Sequence, residues 1–525
     1  MISKLMRGLA GAGRLGYLAL LSATLAACGG GGGGGSFGQT GGGASTYTPG
    51  VFQPSSNFAA RCVAPRAGTS DLTGTVTDQN NFLRSWTNEL YLWYSEAPDL
   101  NPSQYQTANY FDMLKTSATT TSGTAKDKFH FTYDTKVWQQ LSQGGVEVSY
   151  GLSWAIQTTS TTRTAFVAFL EPTPPASTVA ANLARGVEVL TVDGTSITAN
   201  TTAGIDALNA GLFPGKSGES HTFGIRDPGG TLRTVTLVSA DFTSTPVQNV
   251  QTLQTLSGQV GYIQFNDHIA TAESQLVDAI TFLKGQGITD LMLDIRYNGG
   301  GFLDLASELA FMIAGPTATA GQTFERLQFS DKYPNTNPVT KTALTPTPFH
   351  TTTQGIQPGY PVGQALPTLN LPRVFVLTGG GTCSASESII NSLRGVNIQV
   401  IEIGSTTCGK PYGFYPQDNC GTTYFTIQFR GVNAANFGDY TDGFRPANSV
   451  STAGTSIPGC SVADDFTHEL GDPNEGRLAA AMSYRESGAC AGPPTGVVKA
   501  LGFSEPPPDF IVPKTPWREN RIVRP

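Results

Sequence analysis

Hydrophobic positions along the chain recur with two different periods, and each period predicts a different kind of element. Between Asn81 and Tyr94, aromatic and leucine positions lie three to four residues apart, which predicts a helix with one apolar face. Tyr110–Leu114 predicts a second helix in the same N-terminal segment. From Gly261 onward, short β-branched runs alternate with apolar helix-like segments. That alternation is typical of crossover units, so it predicts an α/β (α+β) core with a parallel or mixed sheet.

Three predicted core strands end in turns rich in glycine. Leu291–Arg296 is followed by Tyr297, Asn298 and three consecutive glycines, and Val374–Leu377 is followed by three more glycines before Ser384. Ile398–Ile403 leads to a Gly-Lys pair that ends at Lys410. Because sheets of this kind place their sites at the carboxyl ends of strands, we expect the chemistry of the chain at these turns.

Ser384 opens the helix-like segment that follows the second group of glycines. Free N–H groups and the helix dipole favour negative charge at such a position. Lys410 leaves the end of the neighbouring predicted strand, within reach of the Ser384 hydroxyl. A lysine acts as a base only when neutral, and burial in an apolar site lowers its pKa. These features predict a serine nucleophile with a lysine base.

Other interpretations of the same residues stay open. Ser384 is also a suitable N-cap, with Glu387 three residues later completing a capping box. Cys383 adjoins Ser384 and is an alternative nucleophile, although no histidine lies in a recognisable partner motif. Asp294 and Arg296 are expected to fix the glycine turn by hydrogen bonds. The histidines show no metal spacing, and no metal or organic cofactor is expected.

Residues 145–245 predict a separate β-rich module. The run from Leu183 through Gly186 to a strand and the turn Asp193-Gly194 resembles that of a PDZ domain. In such a domain Tyr150, Gly151 and Leu152 would form the carboxylate-binding loop, and the next strand would be extended by a peptide. The alternative is a packing module that binds no peptide.

The N-terminus is typical of a processing segment. Three basic residues precede the apolar run Leu15–Leu25, which is followed by Ala26, Ala27 and Cys28. This pattern resembles a bacterial lipobox, in which Cys28 becomes lipidated. A glycine-rich tether would then hold a folded domain near the periplasmic face of the outer membrane. No later stretch is long and apolar enough to predict a membrane span.

Charge and cysteine content narrow the function further. The net charge of -7 argues against a nucleic-acid surface. Apart from Cys28, the cysteines form an even set in an exported chain, which favours disulfides over metal sites. Nearness in sequence favours the pairs Cys408–Cys420 and Cys460–Cys490.

The motifs taken together resemble those of carboxyl-terminal processing peptidases, the S41 family. Asp294–Gly300, Ser384–Glu387 and Gly409-Lys410 stand in the family's order, with a PDZ-like module and a helical N-terminal segment before them. The resemblance covers about residues 75–490 and implies a crotonase-like core. It also implies that Ser384 is the nucleophile and Lys410 the base.

The resemblance further implies an oxyanion hole made from Gly299 or Gly300 and the amide of Ala385. This sequence departs from the family pattern at the residue that orients the base. Family members often have Gln four residues after the lysine or an acid about eleven after the serine, where this chain has Phe414 and Gly395. Gln417 and Asp418 are the candidates for that role. Because some relatives of the fold use a histidine base, His268 is also a candidate.

The implied function is a serine endopeptidase of the cell envelope that cleaves proteins at or near their C-termini. Its partners would be protein or peptide substrates with free C-termini, without nucleic acid. One alternative is an inactive scaffold that binds peptides through the PDZ-like module. Another is a crotonase-type enzyme acting on acyl thioesters, against which the export signal argues. The predicted divisions are 1–28 (signal), 29–74 (tether and lead-in), 75–144 (helical segment), 145–245 (PDZ-like module), 246–490 (peptidase core) and 491–525 (proline-rich tail).

Overall fold

The structure, a computed structural model, describes residues 47–144, 146–159, 162–492, 509–513 and 521–522. The predicted signal segment, with Cys28, lies outside this part of the chain, as does the tether up to residue 46. The helices are α1 (Val76–Leu90), α2 (Thr107–Met113), α3 (Thr135–Gly144), α4 (Ala176–Ala181), α5 (Thr202–Leu212), α6 (Ala272–Gly285), α7 (Leu303–Thr319), α8 (Ala385–Gly395) and α9 (Gly476–Ser487).

The strands fall into several sheets. Those of the N-terminal segment and the following module are β1 (Arg61–Cys62), β2 (Leu72–Thr73), β3 (Phe131–Asp134), β4 (Val146–Ser149), β5 (Leu152–Thr158), β6 (Arg163–Leu170), β7 (Glu188–Val192), β8 (Thr195–Ser196), β9 (Ser220–Arg226), β10 (Leu232–Val238) and β11 (Ala240–Thr243). Those that follow are β12 (Val247–Thr255), β13 (Gly258–Phe265), β14 (Asp290–Asp294), β15 (Thr323–Gln328), β16 (Thr347–Pro348), β17 (Arg373–Thr378), β18 (Gln399–Gly404), β19 (Tyr412–Phe414), β20 (Gln417–Asn419), β21 (Thr422–Phe425), β22 (Phe429–Val432), β23 (Phe444–Pro446), β24 (Thr455–Ile457), β25 (Gly459–Ser461) and β26 (Arg521–Ile522).

A six-stranded sheet forms the core, in the order β12-β13-β14-β17-β18-β25. The strands from β13 to β25 pair in parallel, and β12 is antiparallel to β13. The predicted mixed α/β core is therefore confirmed. Because parallel neighbours point the same way, the carboxyl ends of β14, β17 and β18 lie at one edge of the sheet. The glycine turn, Ser384 and Lys410 all follow these ends.

Helices cover both faces of the core sheet. On one face, α6, α7 and α8 contribute Leu276, Leu309 and Ile389 to a core that includes Ile263 and Leu293. On the other face, α9 packs Leu478 and Ala481 against Tyr262, Met292 and Phe375. Alternate residues of each strand thus face opposite helix layers, which explains why these strands are apolar throughout. The sheet is rigidly held behind the turns at its edge.

Residues 146–243 form sheets and an apolar core of their own. The main sheet has the order β10-β9-β7-β6-β5, and β5 is its end strand. This module packs against the core sheet region through Arg185, which donates hydrogen bonds to Tyr297 Oη (2.9 Å) and to Asp464 (2.8 Å). The rings of Phe169 and Tyr297 stack beside these bonds, 5.9 Å apart. Its identity as a PDZ domain stays a prediction.

The N-terminal segment packs against the region that follows Lys410. Thr75 and Asp78 cap α1, each side chain accepting a hydrogen bond from the other residue's amide. Phe82 and Trp86 of this helix pack with Phe111 of α2, as their spacing predicts. Two smaller sheets, β20-β21-β3 and β16-β15-β22-β19-β26, join this segment and the region after Lys410 to the core.

Three disulfides link the described cysteines. Cys460–Cys490 is present as predicted, but the predicted pair Cys408–Cys420 is wrong. Cys408 pairs with Cys383, and Cys420 pairs with Cys62. Nearness in sequence failed because the carboxyl ends of β17 and β18 lie side by side, which brings Cys383 to Cys408. Among the described residues, no helix has both the length and the apolar composition needed to cross a bilayer.

Candidate active site

Hydrogen bonds connect the turn after β14 to the turn that carries Ser384. The main-chain oxygen of Asn298 accepts hydrogen bonds from the Cys383 amide (3.1 Å) and from Ser386 Oγ (3.0 Å). Thr382 Oγ1 donates to the Ile295 oxygen at 2.9 Å. The glycine turn and the turn carrying Ser384 are therefore bonded to each other along their length.

Ser384 has a strained backbone at the start of α8. Its φ of 58° and ψ of -114° are unusual for a residue with a side chain. The residue is fully buried, and its Oγ has no hydrogen-bond partner among the residues that the structure describes. Glu387 accepts a hydrogen bond from the Ser384 amide, so its half of the predicted capping box is present. Strain of this kind, about 1–3 kcal/mol, is typical of functional positions.

Gly300 approaches Ser384 more closely than any other residue type would allow. With φ at +107°, a Cβ at this position would lie 2.8 Å from Ser384 Cβ and 2.9 Å from Ala385 N. The backbone of the glycine turn therefore lies directly beside the nucleophile and the first amide of α8. Of the predicted oxyanion residues, Gly300 and Ala385 are brought together with Ser384. Gly299 precedes them in the same buried turn.

The Glu387 carboxylate joins the serine turn to the lysine loop. Its Oε2 accepts hydrogen bonds from the backbone amides of Ser384 (2.9 Å) and Lys410 (2.8 Å). Its Oε1 accepts from the Gly409 amide (2.8 Å) and from Thr407 Oγ1 (2.5 Å). Burial raises the pKa of this carboxyl, while these hydrogen bonds act in the opposite direction. One carboxylate oxygen thus holds the backbones of both proposed catalytic residues.

A disulfide makes the same connection covalently. Cys383, the residue before Ser384, is bonded to Cys408, two residues before Lys410. The alternative in which Cys383 is the nucleophile is therefore wrong for this oxidised state, because no thiol is available. These two cysteines and Glu387 lie close together in the manner of a metal site, but sulfurs bonded to each other are not thiolate ligands.

Lys410 is fully buried behind two aromatic rings. Its Nζ lies 4.3 Å from the centre of the Phe129 ring and 5.3 Å from that of Phe414. Phe414 occupies the position at which the family often has glutamine, so an aromatic face replaces a hydrogen-bonding side chain there. The amine is surrounded in part by apolar carbon, an environment that disfavours charge by desolvation and favours it through the ring faces.

The two candidates for orienting the lysine are engaged elsewhere. Asp418 accepts hydrogen bonds from Arg66 (3.0 Å) and from Thr135 (2.9 Å), in the N-terminal segment. Gln417 Nε2 donates to the main-chain oxygen of Asp418 at 2.9 Å. These assignments are therefore wrong. The strand pair β20-β21 turns both side chains away from the carboxyl edge of the core sheet.

His268 lies at the glycine turn. Its ring is buried, and Nδ1 is 3.0 Å from Asn298 Oδ1. Asn298 Nδ2 donates to the Phe265 oxygen at 3.0 Å, so Oδ1 faces the ring and Nδ1 carries the hydrogen. The same Oδ1 also accepts the Gly300 amide at 3.0 Å. Asn298 thereby links His268 to the predicted oxyanion turn.

Asp294 and Arg296 form a buried ionic network instead of touching Ser384. Arg296 pairs with Asp294 at 2.8 Å, Glu475 at 2.6 Å and Asp464 at 2.9 Å. Asp464 also accepts from Arg185 and Tyr297, so the network ties the module to the core. Burial alone would raise the pKa of Asp464, but the neighbouring cations keep it far below the ordinary range. These cations are Arg477, Arg185 and Arg296.

The predicted carboxylate-binding loop lies apart from these groups, in the other module. Tyr150 Oη donates to the Gly211 oxygen at 2.7 Å, and the Tyr150 oxygen accepts from Thr178 Oγ1 at 2.6 Å. The Gly151 amide donates to Ser149 Oγ at 3.0 Å, and Leu152 begins β5. The role of Tyr150, Gly151 and Leu152 in peptide binding stays a prediction.

The sequence interpretation missed two groups at the site. The sequence marks Glu387 only as a capping residue. The signal for a second role is that it closely follows β17, whose carboxyl end lies beside that of β18, the strand that leads to Lys410. Phe129 gave no signal, because it comes from a loop of the N-terminal segment that reaches the site only through the tertiary fold.

Comparison with known proteins gives three kinds of likeness. Residues 259–414, which include Ser384 and Lys410, match the model of peptidase family S41. A carboxyl-terminal-processing protease of Picosynechococcus sp. is 29% identical over 147 residues, which is 26% of this chain and 33% of the relative. The match thus spans a third of the curated relative. A Bacteroides fragilis structure described as an S41 protease has a TM-score of 0.57 at 22% identity, covering 78% of this chain and 97% of the other, and it shares the fold.

Proposed function

We propose that this chain, whose residues 259–414 match the model of peptidase family S41, is a serine peptidase of the cell envelope that cleaves polypeptides at or near their C-termini. In this mechanism Ser384 Oγ attacks the scissile carbonyl while neutral Lys410 accepts its proton. The lysine then gives that proton to the leaving amine. Water hydrolyses the acyl-enzyme, and Ser384 is regenerated.

The observation that carries the proposal is the shared carboxylate of Glu387. Because one oxygen accepts the amides of Ser384 and Lys410, the two residues are held in a fixed relation at the carboxyl edge of the sheet. The Lys410 side chain is fully buried, which favours the neutral form that a base requires. The strained backbone of Ser384 is further support.

The oxyanion donors follow from the same geometry. The Gly300 amide already donates to Asn298 Oδ1, so the Gly299 amide is the better partner for the Ala385 amide. Ala385 is at the first turn of α8, where amides have no acceptor within the helix. Such donors lower the barrier by about 3–4 kcal/mol each.

Alanine at the two catalytic positions tests this mechanism. Ser384→Ala and Lys410→Ala should each abolish cleavage of casein and of C-terminally tailed peptides, because nucleophile and base are lost. Ser392→Ala, in the same helix, and Lys284→Met, on the surface of α6, are the matched controls and should retain activity. Unchanged cleavage in either catalytic variant, with circular dichroism showing an intact fold, would contradict the mechanism.

A scaffold without activity is the second candidate function. The observation that favours it is the absence of a described hydrogen-bond partner for Ser384 Oγ, so that the bond expected between nucleophile and base is not formed here. A wild-type chain that binds peptides yet leaves unfolded proteins uncut would support this function. His268 as base predicts instead that His268→Gln abolishes cleavage while Lys410→Met retains it.

The proposed location rests on the lipobox-like sequence that ends at Cys28. Lipidation there would anchor the chain to a membrane, with residues 29–74 as tether and lead-in. Fractionation of a bacterial host expressing the full chain tests this. Wild type should sediment with membranes and Cys28→Ala should not, and equal partition of both would contradict the anchor.

A further inference from the structure

A short segment of the proline-rich tail lies on the exposed edge of β5. Ile511 and Ile156 exchange both main-chain hydrogen bonds, at 2.8 and 3.0 Å. This is the pattern of two directly opposed residues in an antiparallel pair. Since β5 is the end strand of its sheet and pairs with β6 on its other side, residues 509–513 take the position of an additional strand.

The direction of this segment is that of a bound peptide. Antiparallel pairing makes the tail run from Asp509 towards Pro513 as β5 runs from Thr158 back to Leu152. Its C-terminal side therefore points to the loop of Tyr150, Gly151 and Leu152. A peptide that extends β5 with its carboxyl end at that loop would run in the same direction along the same edge.

The other end of the segment is held beside the active-site turn. The Asp509 carboxylate accepts a hydrogen bond from the Gly380 amide at 3.1 Å and from Arg477 Nη2 at 3.2 Å. Gly380 is four residues before Ser384. Arg477 is fully buried, and its Nη1 has no partner among the described residues. A buried guanidinium with a backbone amide forms a carboxylate site, which Asp509 fills.

Apolar contacts close the crevice between the module and the core around this segment. The Phe510 ring lies 4.9 Å from that of Phe466 and 5.5 Å from that of Phe166. Val512 is buried with Tyr297, the residue next to Asn298 at the glycine turn. The segment thus runs from the β5 edge to the active-site turn without leaving the crevice.

A second described piece of the tail pairs with the strand that follows Lys410. Arg521 and Ile522 pair in parallel with Gly413 and Phe414 of β19, directly after Lys410. Both described pieces of the tail therefore attach to elements that flank the proposed dyad.

We infer that residues 509–513 are an internal occupant of the substrate path, which an extended polypeptide must displace to reach Ser384. The substrate strand would take over the main-chain bonds of Ile156, and an acidic side chain of that strand would take over Arg477 and the Gly380 amide. This inference rests on the proposed function. Main-chain bonds are exchangeable between any two extended peptides, so the tail competes with the substrate for one edge.

Proline at position 511 tests the displacement in the full-length chain. Ile511→Pro removes the amide that bonds to Ile156 and should raise kcat/KM for unfolded casein at least about threefold, mainly through a lower KM. Ile511→Val keeps the bond and is the matched control. Asp509→Asn should act in the same direction with a smaller effect. A folded Ile511→Pro chain with unchanged or lower kcat/KM would overturn the inference.

A binding measurement separates this inference from the proposed function. The probe is a fluorescein-labelled peptide with the sequence of residues 508–513, titrated against full-length Ser384→Ala by fluorescence anisotropy. Adding Ile511→Pro should lower its Kd at least about threefold, and an Asp509→Asn peptide should bind more weakly. Equal Kd values with and without Ile511→Pro would overturn the inference, even where Ser384→Ala has abolished cleavage. Tighter binding alongside intact cleavage in Ser384→Ala would contradict the proposed function alone.

Discussion

Different kinds of bond hold the chain segments at two places in the molecule, the carboxyl edge of the core sheet and the outer edge of β5. At the first, a buried carboxylate and a disulfide fix the loops of Ser384 and Lys410. At the second, main-chain bonds to Ile156 hold a segment of the tail. Side-chain bonds to a buried carboxylate need that one residue, whereas main-chain bonds accept any extended peptide. The positions of the reacting groups thus depend on one particular side chain, whereas the strand that lies on the β5 edge can be exchanged for another peptide.

Loss of the Glu387 carboxylate should break this contrast most severely. Glu387→Ala leaves the amides of Ser384, Gly409 and Lys410 without their acceptor, at about 1–3 kcal/mol each in unfolding free energy. Glu387→Gln keeps the shape of the side chain but changes its hydrogen bonds. Because a small displacement of the reacting groups slows the reaction strongly, kcat of this variant should fall by about 100-fold or more. Casein cleavage and urea unfolding measure the two effects.

The matched control for Glu387 is a second buried glutamate one strand away. Glu402 accepts a hydrogen bond from Thr378 Oγ1 at 3.0 Å, and burial raises its pKa well above the ordinary value. Glutamine keeps an oxygen that can accept from Thr378 Oγ1, so Glu402→Gln should keep kcat near wild type. Equal losses in both variants would mean that Glu387 only supports the fold.

The disulfide beside the dyad should have the next largest effect. Changing Cys383 and Cys408 together to serine frees the lysine loop from the serine turn, and kcat should fall about tenfold. Changing Cys460 and Cys490 in the same way should lower stability by about 2–4 kcal/mol without a comparable loss of kcat, because that bond lies away from the dyad. Equal kcat in both double variants would show that Glu387 alone holds the site.

The smallest expected effect is on the pH dependence of stability. It arises at Glu308, which belongs to neither of the two edges compared above. Burial, followed by the neighbouring Glu273 charge, raises the pKa of Glu308 from 4.5 to about 9. The folded chain therefore keeps this proton while the unfolded chain loses it. The stabilisation is fully present below about pH 4.5 and is lost progressively as pH rises towards 9. Both carboxyls accept the Gln354 amide, so they hold a loop remote from Ser384.

Glutamine at position 308 has no such proton to lose. Urea midpoints of Glu308→Gln should therefore fall less between pH 5 and pH 9 than those of wild type, with casein cleavage at pH 7 unchanged. Glu469→Gln, at an exposed carboxyl, is the control and should follow wild type. An identical decline in all three chains would show that other groups determine the loss of stability.

Local patterns predicted the elements well where period and glycine turns agreed. Val374–Leu377 lies within β17, and the predicted Ile398–Ile403 begins one residue before β18; their shared edge follows from parallel pairing. Pairings that depend on which chain segments meet in space were not predictable. Cys408 bonds to Cys383 and not to Cys420, because adjacent strand ends outweigh nearness in sequence.

The same limit applies to the groups around the dyad. Phe129 reaches Lys410 from about 280 positions away, and Ile511 reaches Ile156 across most of the chain. Neither residue carries a local motif. Asp418 is a candidate for orienting the lysine that no spacing rule supports, and the hairpin of β20 and β21 turns it towards Arg66.

Cys62 and Cys420 are bonded although 358 positions separate them, which makes that stretch a covalent ring. The ring encloses the module of residues 146–243, α8 and both proposed catalytic residues. If the chain cuts itself anywhere inside, the two pieces stay attached and migrate together on an electrophoresis gel. Self-processing would become visible only after a thiol reductant is added, so every assay of autolysis needs reduced and unreduced lanes side by side.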